Sequence, residues 1–256
     1  MQIIPVIDVL GGIAVRAVRG ERSRYRPLES QLCSGSDPVD AARALLDYCG
    51  ASVLYVADLD GIVHGAPQRD LLARLAGALP GVELWLDAGF ADPHAASALL
   101  APLRESGTTG SASRSASVGA ARSAPRSAPR SAPRSAPITP VFGSESLQPG
   151  AMPHLPADAL LSLDRRHDTP LGDPHCWTDT SHWPARLIVM TLERVGSFDG
   201  PALDTIAEVR ERAGQRQIIG AGGIRNADDL QAAATSGANA WLVASALHER
   251  RIPAAS

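Results

Sequence analysis

Two carboxylates close two apolar runs in opposite halves of the chain: Asp8 ends Ile3-Ile4-Pro5-Val6-Ile7, and Asp164 ends Ala159-Leu160-Leu161-Ser162-Leu163. Paired carboxyl groups can share acid and base work on one substrate when their surroundings drive their pKa values apart. A second chemistry, anion capture, is offered by small residues at other run ends. Ile218-Ile219-Gly220-Ala221-Gly222-Gly223-Ile224 finishes in glycines just before a capped helix start at Asn226, and Ala244-Ser245-Ala246 closes the last run with a hydroxyl. Glycines there either let backbone N–H groups approach a phosphate or simply permit a tight turn. Gly143-Ser144 occupies the matching place in the first half. Asp87-Ala88-Gly89, however, sets a carboxylate where the second half has Ala221, and a carboxylate repels a phosphate dianion unless an arginine intervenes. The twin site is therefore altered, or takes something other than phosphate.

Positioning these groups needs a frame, and the chain repeats one. After Asp8 come the runs Val53–Asp58, Val82–Gly89 and Thr139–Ser144; after Asp164 come Leu187–Thr191, Gln217–Gly223 and Ala240–Ser245. Eight short apolar runs, most of them separated by helix-length amphipathic stretches, describe strands and helices alternating around a parallel sheet. At 256 residues the size suits one α/β domain over residues 1–256, a (β/α)8 TIM barrel of two half-barrel repeats. The run ends then gather on one face. The stretch from Pro174-His175-Cys176-Trp177 to Trp183-Pro184 has no room for a full amphipathic helix, so the fifth unit is abridged.

Composition removes several chemistries. All 24 basic residues are arginine, which excludes Schiff-base and pyridoxal-phosphate lysines and a P-loop. The formal net charge of -3 suggests no nucleic-acid surface, and no apolar run approaches the ~20 residues a membrane span needs. Cys33, Cys49 and Cys176 are scattered and odd in number, which suits a reducing, cytoplasmic setting. His64, His167 and His175 match no metal-ligand spacing, so neither metal nor cofactor is expected. Arg16, Arg19, Arg22, Arg24 and Arg26 crowd the first loop, where one or two can close over an anion.

Between the third helix and the fourth strand, residues 106–137 carry four consecutive Arg-Ser-Ala-Pro units behind a Ser/Gly/Ala lead-in. With little apolar mass and a proline every fourth residue, this insertion is expected to be disordered and to lie on the face away from the catalytic loops.

The motifs Ile4-Pro5-Val6-Ile7-Asp8 with Gly11-Gly12, Val56-Ala57-Asp58-Leu59-Asp60-Gly61, Leu161-Ser162-Leu163-Asp164, Ala221-Gly222-Gly223-Ile224 and Val243-Ala244-Ser245-Ala246-Leu247 run in order across nearly the whole chain. In these the chain resembles the histidine-biosynthesis barrels, and within them the phosphoribosylformimino-aminoimidazole-carboxamide ribotide isomerase more than its sister cyclase, which needs lysines. The resemblance implies an Amadori aldose–ketose isomerisation of a phosphorylated small molecule. Asp164 then falls on the general acid and Asp8 on the general base. Gly222, Gly223, Ala244, Ser245, Gly143, Ser144 and Thr191 are the expected substrate and phosphate ligands, while Asp58 binds substrate hydroxyls or holds its loop.

Departures from the family pattern are local. Its triple glycine after strand three is Asp87-Ala88-Gly89, and the aspartate expected five residues after Thr191 is Gly196. Both leave room for a divergent paralogue of another pathway, such as one-carbon or methanopterin-type cofactor metabolism, acting on a phosphorylated or anionic substrate. A non-catalytic scaffold that uses the Arg-Ser-Ala-Pro segment as its contact is a third reading. The oligomeric state is not encoded in any of these motifs.

Overall fold

The computed structural model describes residues 1–105 and 136–254. Eight parallel strands close a ring: β1 (Gln2–Leu10), β2 (Val53–Asp58), β3 (Glu83–Asp87), β4 (Ile138–Gly143), β5 (Leu160–Arg166), β6 (Arg186–Thr191), β7 (Gln217–Ala221) and β8 (Ala240–Val243). Each pairs with the next, and β8 returns to β1 with Gln2 opposite Ala240 and Pro5 opposite Val243. This is the expected TIM barrel. The helices are α1 (Pro38–Cys49), α2 (Leu59–His64), α3 (Arg69–Ala78), α4 (Pro93–Glu105), α5 (His175–Thr178), α6 (Leu203–Ala213), α7 (Ala227–Thr235) and α8 (Ser245–His248). In the fifth unit the four-residue α5 and a 3-10 turn, Thr180–His182, stand where a full helix would be.

Local chemistry sets the boundaries. The Asp37 carboxylate accepts the N–H groups of Val39 and Asp40 to start α1, Pro38 fills its first turn, and Gly50 ends it in the left-handed conformation. Asn226 caps α7 through the N–H of Asp229.

Period-two alternation sorts each strand. Ile4, Tyr55, Trp85, Val141, Leu160, Ile188, Ile219 and Leu242 pack together inside the ring, while Ile7, Leu54, Leu86, Phe142, Leu161, Leu187, Ile218 and Trp241 face the helices. Fully burying each of these large side chains contributes roughly 1.5–3 kcal/mol. At the floor of the interior, Glu83 takes Trp85 Nε1 at 2.9 Å, Thr139 Oγ1 at 2.7 Å and Arg186 Nη1 at 3.3 Å. The Glu83 contacts thus tie together the N-terminal floor of the ring.

Residues 106–135 of the expected insertion lie outside the described residues. Its end needs correcting, because the last two residues of 106–137 belong to the barrel. Ala136 is buried and donates its N–H to the Ala76 carbonyl at 2.9 Å, and the Pro137 carbonyl accepts the Leu84 N–H at 2.8 Å. A compositional repeat ignores such pairing, and so it overran the boundary.

Candidate active site

Continuing the inward alternation to the mouth brings Asp8, Asp87 and Asp164, from β1, β3 and β5, into the lining of one pocket, whose empty volume of about 980 Å³ is partly open to solvent. Asp164 is 4 % exposed and Asp87 8 %, while Asp8 is half-buried. Gly143 separates two of them: a β-carbon built there would stand 3.1 Å from Asp164 Oδ2 and 3.5 Å from Asp87 Oδ2. Glycine at this place lets both carboxyl groups reach the mouth.

Their surroundings differ. Ser162 Oγ donates to Asp164 Oδ1 at 2.6 Å, and the Asp164 N–H donates to Ser144 Oγ at 2.9 Å. Burial, aided by the charges of Glu145 and Asp87, pushes the Asp164 carboxyl up to about 8. Burial raises Asp8 to about 7 against the opposing pull of the Arg22 guanidinium, and its carboxyl accepts no hydrogen bond from any described residue. Burial raises Asp87 to about 6, with the Gly89 N–H at 3.1 Å and the Tyr55 hydroxyl at 3.2 Å holding it lower than the others. Tyr55 stays a neutral phenol, because burial and the three aspartates drive its pKa far upward.

Across the mouth, Gly222, Gly223, Ile224, Ala244 and Ser245 line the same pocket with no carboxylate on this stretch. Gly222 and Gly223 have φ of +83° and +84°, and a β-carbon on Gly223 would meet the Gly200 carbonyl at 2.2 Å. Only glycine fits that seam. Trp241 Nε1 donates to the Gly222 carbonyl at 3.1 Å and so fixes the turn from behind.

Three loops cover the pocket. Arg22 reaches from the first loop to pair with Glu145 after β4, the Arg19 N–H donates to the Val195 carbonyl at 2.7 Å, and Arg166 Nη2 donates to the Gly20 carbonyl at 3.1 Å. Gly196, where the family resemblance led to an aspartate, is the contact point of two loops: a β-carbon there would stand 2.1 Å from the Ala17 carbonyl.

Not every expected ligand reaches the pocket. Asp58, fully buried, accepts Gln68 N at 2.7 Å, Gln68 Nε2 at 3.0 Å and Gly61 N at 3.3 Å. Gln68 in turn receives the Gly12 N–H at 2.6 Å, and Asp60 receives that of Gly11 at 2.7 Å. The pair anchors the hairpin in which β1 folds back on Ile13–Arg16, and Asp58 faces away from the pocket. Ser144 and Thr191 are buried with the same outward parity and do not line the pocket, and Gly143 contributes space rather than a ligand.

Asp87, Tyr55, Tyr25, Glu145 and Arg194 line the pocket but were not among the expected ligands; Arg22 was one of five loop arginines. The signal for Asp87 was its alternation with Glu83 and Trp85, which gives it the same inward parity as Asp8. Tyr55 is hidden in a run that is buried on both faces, where hydrophobicity carries no parity.

Comparison with known proteins gives a consistent family. Residues 2–115 and 181–253 match the family described as histidine biosynthesis protein. An uncharacterized protein of Methanocaldococcus jannaschii is 25% identical over 249 residues, which is 97% of this chain and 94% of that one. The 1-(5-phosphoribosyl)-5-((5-phosphoribosylamino)methylideneamino) imidazole-4-carboxamide isomerase of Rubrobacter xylanophilus is 29% identical over 264 residues, covering 96% and 91%. The phosphoribosyl isomerase A of Mycobacterium tuberculosis is 28% identical over 252 residues, covering 97% and 93%.

Proposed function

From the premise that the chain belongs to the histidine biosynthesis protein family, we propose that it is an aldose–ketose isomerase acting on a phosphorylated sugar amine, with Asp164 as general acid and Asp8 as general base. The observation that carries this reading is the placement of two raised carboxyl groups, on β1 and β5, in the lining of one pocket. Asp164, the more basic, holds its proton at neutral pH and gives it to the ring oxygen as the C1–O bond breaks. The nitrogen lone pair forms the C1 iminium. Asp8, ionised above about pH 7, then takes the C2 proton, the C2–H electrons form the enaminol, and its tautomer is the ketose. The phosphate sits against Gly222, Gly223 and Ser245, where positive-φ glycines expose backbone to the pocket. A cytoplasmic location agrees with three free cysteines.

Complementation of a histidine auxotroph lacking the isomerase tests the reading at its most specific. Growth with the wild-type gene, lost with Asp8→Asn or Asp164→Asn, supports it. A well-expressed wild type that fails to restore growth moves the assignment to a second reading, a family enzyme of another pathway that keeps both aspartates. Asp87 is the observation that favours this second reading, because it stands at the mouth where an anion would otherwise approach.

A further inference from the structure

We propose that the β3–β4 half of the pocket receives a protonated amine, and that the substrate carries one phosphate, held at the β7–β8 half, rather than two. The inference rests on the reading of this pocket as an active site for a phosphorylated substrate and belongs with the second, other-pathway assignment, so restored growth of the isomerase auxotroph, whose substrate carries two phosphoribosyl groups, would overturn it. The two halves are related by the internal repeat, so they can be compared position by position. Where β7 ends in Ala221 and opens into Gly222 and Gly223, β3 ends in Asp87, whose carboxyl lines the pocket.

Four backbone donors on the β3–β4 side are committed within the protein. The Ser144 N–H donates to the Ser162 carbonyl at 2.8 Å, those of Ser146 and Leu147 go to the Gly143 carbonyl, and that of Gly89 goes to the Asp87 carboxylate itself. Arg22, the guanidinium that reaches this side, is paired with Glu145. A second phosphate would therefore meet the Asp87 and Glu145 carboxylates with these backbone donors already taken and Arg22 already neutralised by Glu145, a like-charge arrangement that selects against it.

The same arrangement suits a cation. Among the described residues Asp87 Oδ2 takes only the Tyr55 phenol, at 3.2 Å. The Asp87 carboxyl and Glu145 line the same cavity. An ammonium group would donate to these oxygens with charge assistance, which a neutral hydroxyl cannot supply. Among the described residues no three His, Cys, Asp or Glu side chains are grouped to hold a metal ion, so the geometry points to an organic amine. The Rubrobacter relative is named for a substrate with two phosphoribosyl groups; this pocket presents one end fit for phosphate.

Calorimetry on the full chain at pH 7.5 with glucosamine 6-phosphate, glucose 6-phosphate and fructose 1,6-bisphosphate tests the assignment. Glucosamine 6-phosphate is expected to bind at least about tenfold tighter than glucose 6-phosphate, with the bisphosphate no tighter than the latter. Asp87→Asn should erase the amine preference and leave glucose 6-phosphate affinity unchanged; Glu145→Gln should weaken the preference in part. A bisphosphate that binds the wild type more tightly than both monophosphates overturns the inference, as does an amine preference that survives Asp87→Asn. If Asp87→Asn does not fold, the wild-type ranking decides by itself. Equal binding of the amine and hydroxyl probes overturns this assignment alone, whereas no binding of any phosphate probe removes the phosphate half as well.

Discussion

Ser144 holds Asp164 from behind: its hydroxyl oxygen accepts the Asp164 N–H at 2.9 Å and lies 3.4 Å from Oδ2 of the same residue. A residue expected to touch phosphate thus supports the Asp164 carboxyl instead. Ser144→Ala leaves a buried N–H without its acceptor, at a cost of about 1–3 kcal/mol. Chemical denaturation should show that loss. The acidic-side limb of the rate profile, which reports Asp8, should stay in place, while the Asp164 limb shifts upward as a hydroxyl near its carboxylate disappears.

Asp8→Asn and Asp164→Asn should each reduce turnover by at least about 100-fold, the scale of one positioned proton-transfer group. The double variant should be little worse than either single one, since ring opening without proton abstraction completes no turnover. Steady-state kinetics on the three variants measures both. Full additivity would mean that the carboxyl groups do not act on one substrate in sequence.

The raised carboxyl values set a pH window for activity and another for stability. The proposed mechanism needs Asp8 ionised, above about pH 7, and Asp164 protonated, below about pH 8, so the rate profile should peak between them. For stability, a carboxyl whose folded pKa lies above its unfolded value binds more protons folded than unfolded, so its contribution is complete below the unfolded pKa and is lost as pH rises through the folded one. His248, whose burial lowers it to about 4, works oppositely, gaining stability as pH rises toward its unfolded value near 6.5. Between pH 6.5 and 8 the aspartates act without that opposition. The ligand-free protein should therefore lose stability across this range, and Asp164→Asn should be the more stable protein at pH 8 by ~1 kcal/mol or more. A melting temperature that rises from pH 6.5 to 8 would contradict the burial of these groups.

Much of the frame was legible because apolar runs and their punctuation are set by backbone geometry. The strands begin and end within two residues of the runs in most units, and the abridged helix after β5 followed from the lack of room between Asp164 and Leu187. The site was legible only where a run end carries a unique group, as at Asp8, Asp164 and Gly222-Gly223. Of the two roles open to Asp58 the structure shows the loop-holding one, and counting back through Ala57 and Tyr55 gives it the outward parity that goes with it. Arg22 and Glu145 meet across 123 positions, a pairing that depends on how two loops fold over the mouth and leaves no periodic trace.

Residues 106–135 should be dispensable to the barrel. Joining Glu105 to Ala136 through a short linker keeps the Ala136 and Pro137 backbone pairs and the Arg104 Nη2 bond to the Ile138 carbonyl at 2.9 Å. Thermal unfolding should remain a single cooperative transition with turnover unchanged. Extending the excision through Pro137 should instead destabilise the protein, because it removes a buried residue and two backbone hydrogen bonds. If the shorter excision alone abolished cooperativity, the segment would contribute to the fold.

Ser245→Asp tests the proposed placement of phosphate against β7 and β8. Ser245 opens α8, where an aspartate is compatible with the helix dipole, so folding should survive the change. Its charge would nonetheless stand beside Gly222 and Gly223 in the pocket lining. Affinity for glucose 6-phosphate should fall at least about tenfold, with the melting temperature of the ligand-free protein unchanged. Asp87→Asn, measured alongside, removes charge from the opposite half and should leave that affinity where it was. A Ser245→Asp protein that retained full phosphate affinity would show that the anion binds away from β7 and β8, and the glycine turn held by Trp241 would then be a structural seam only.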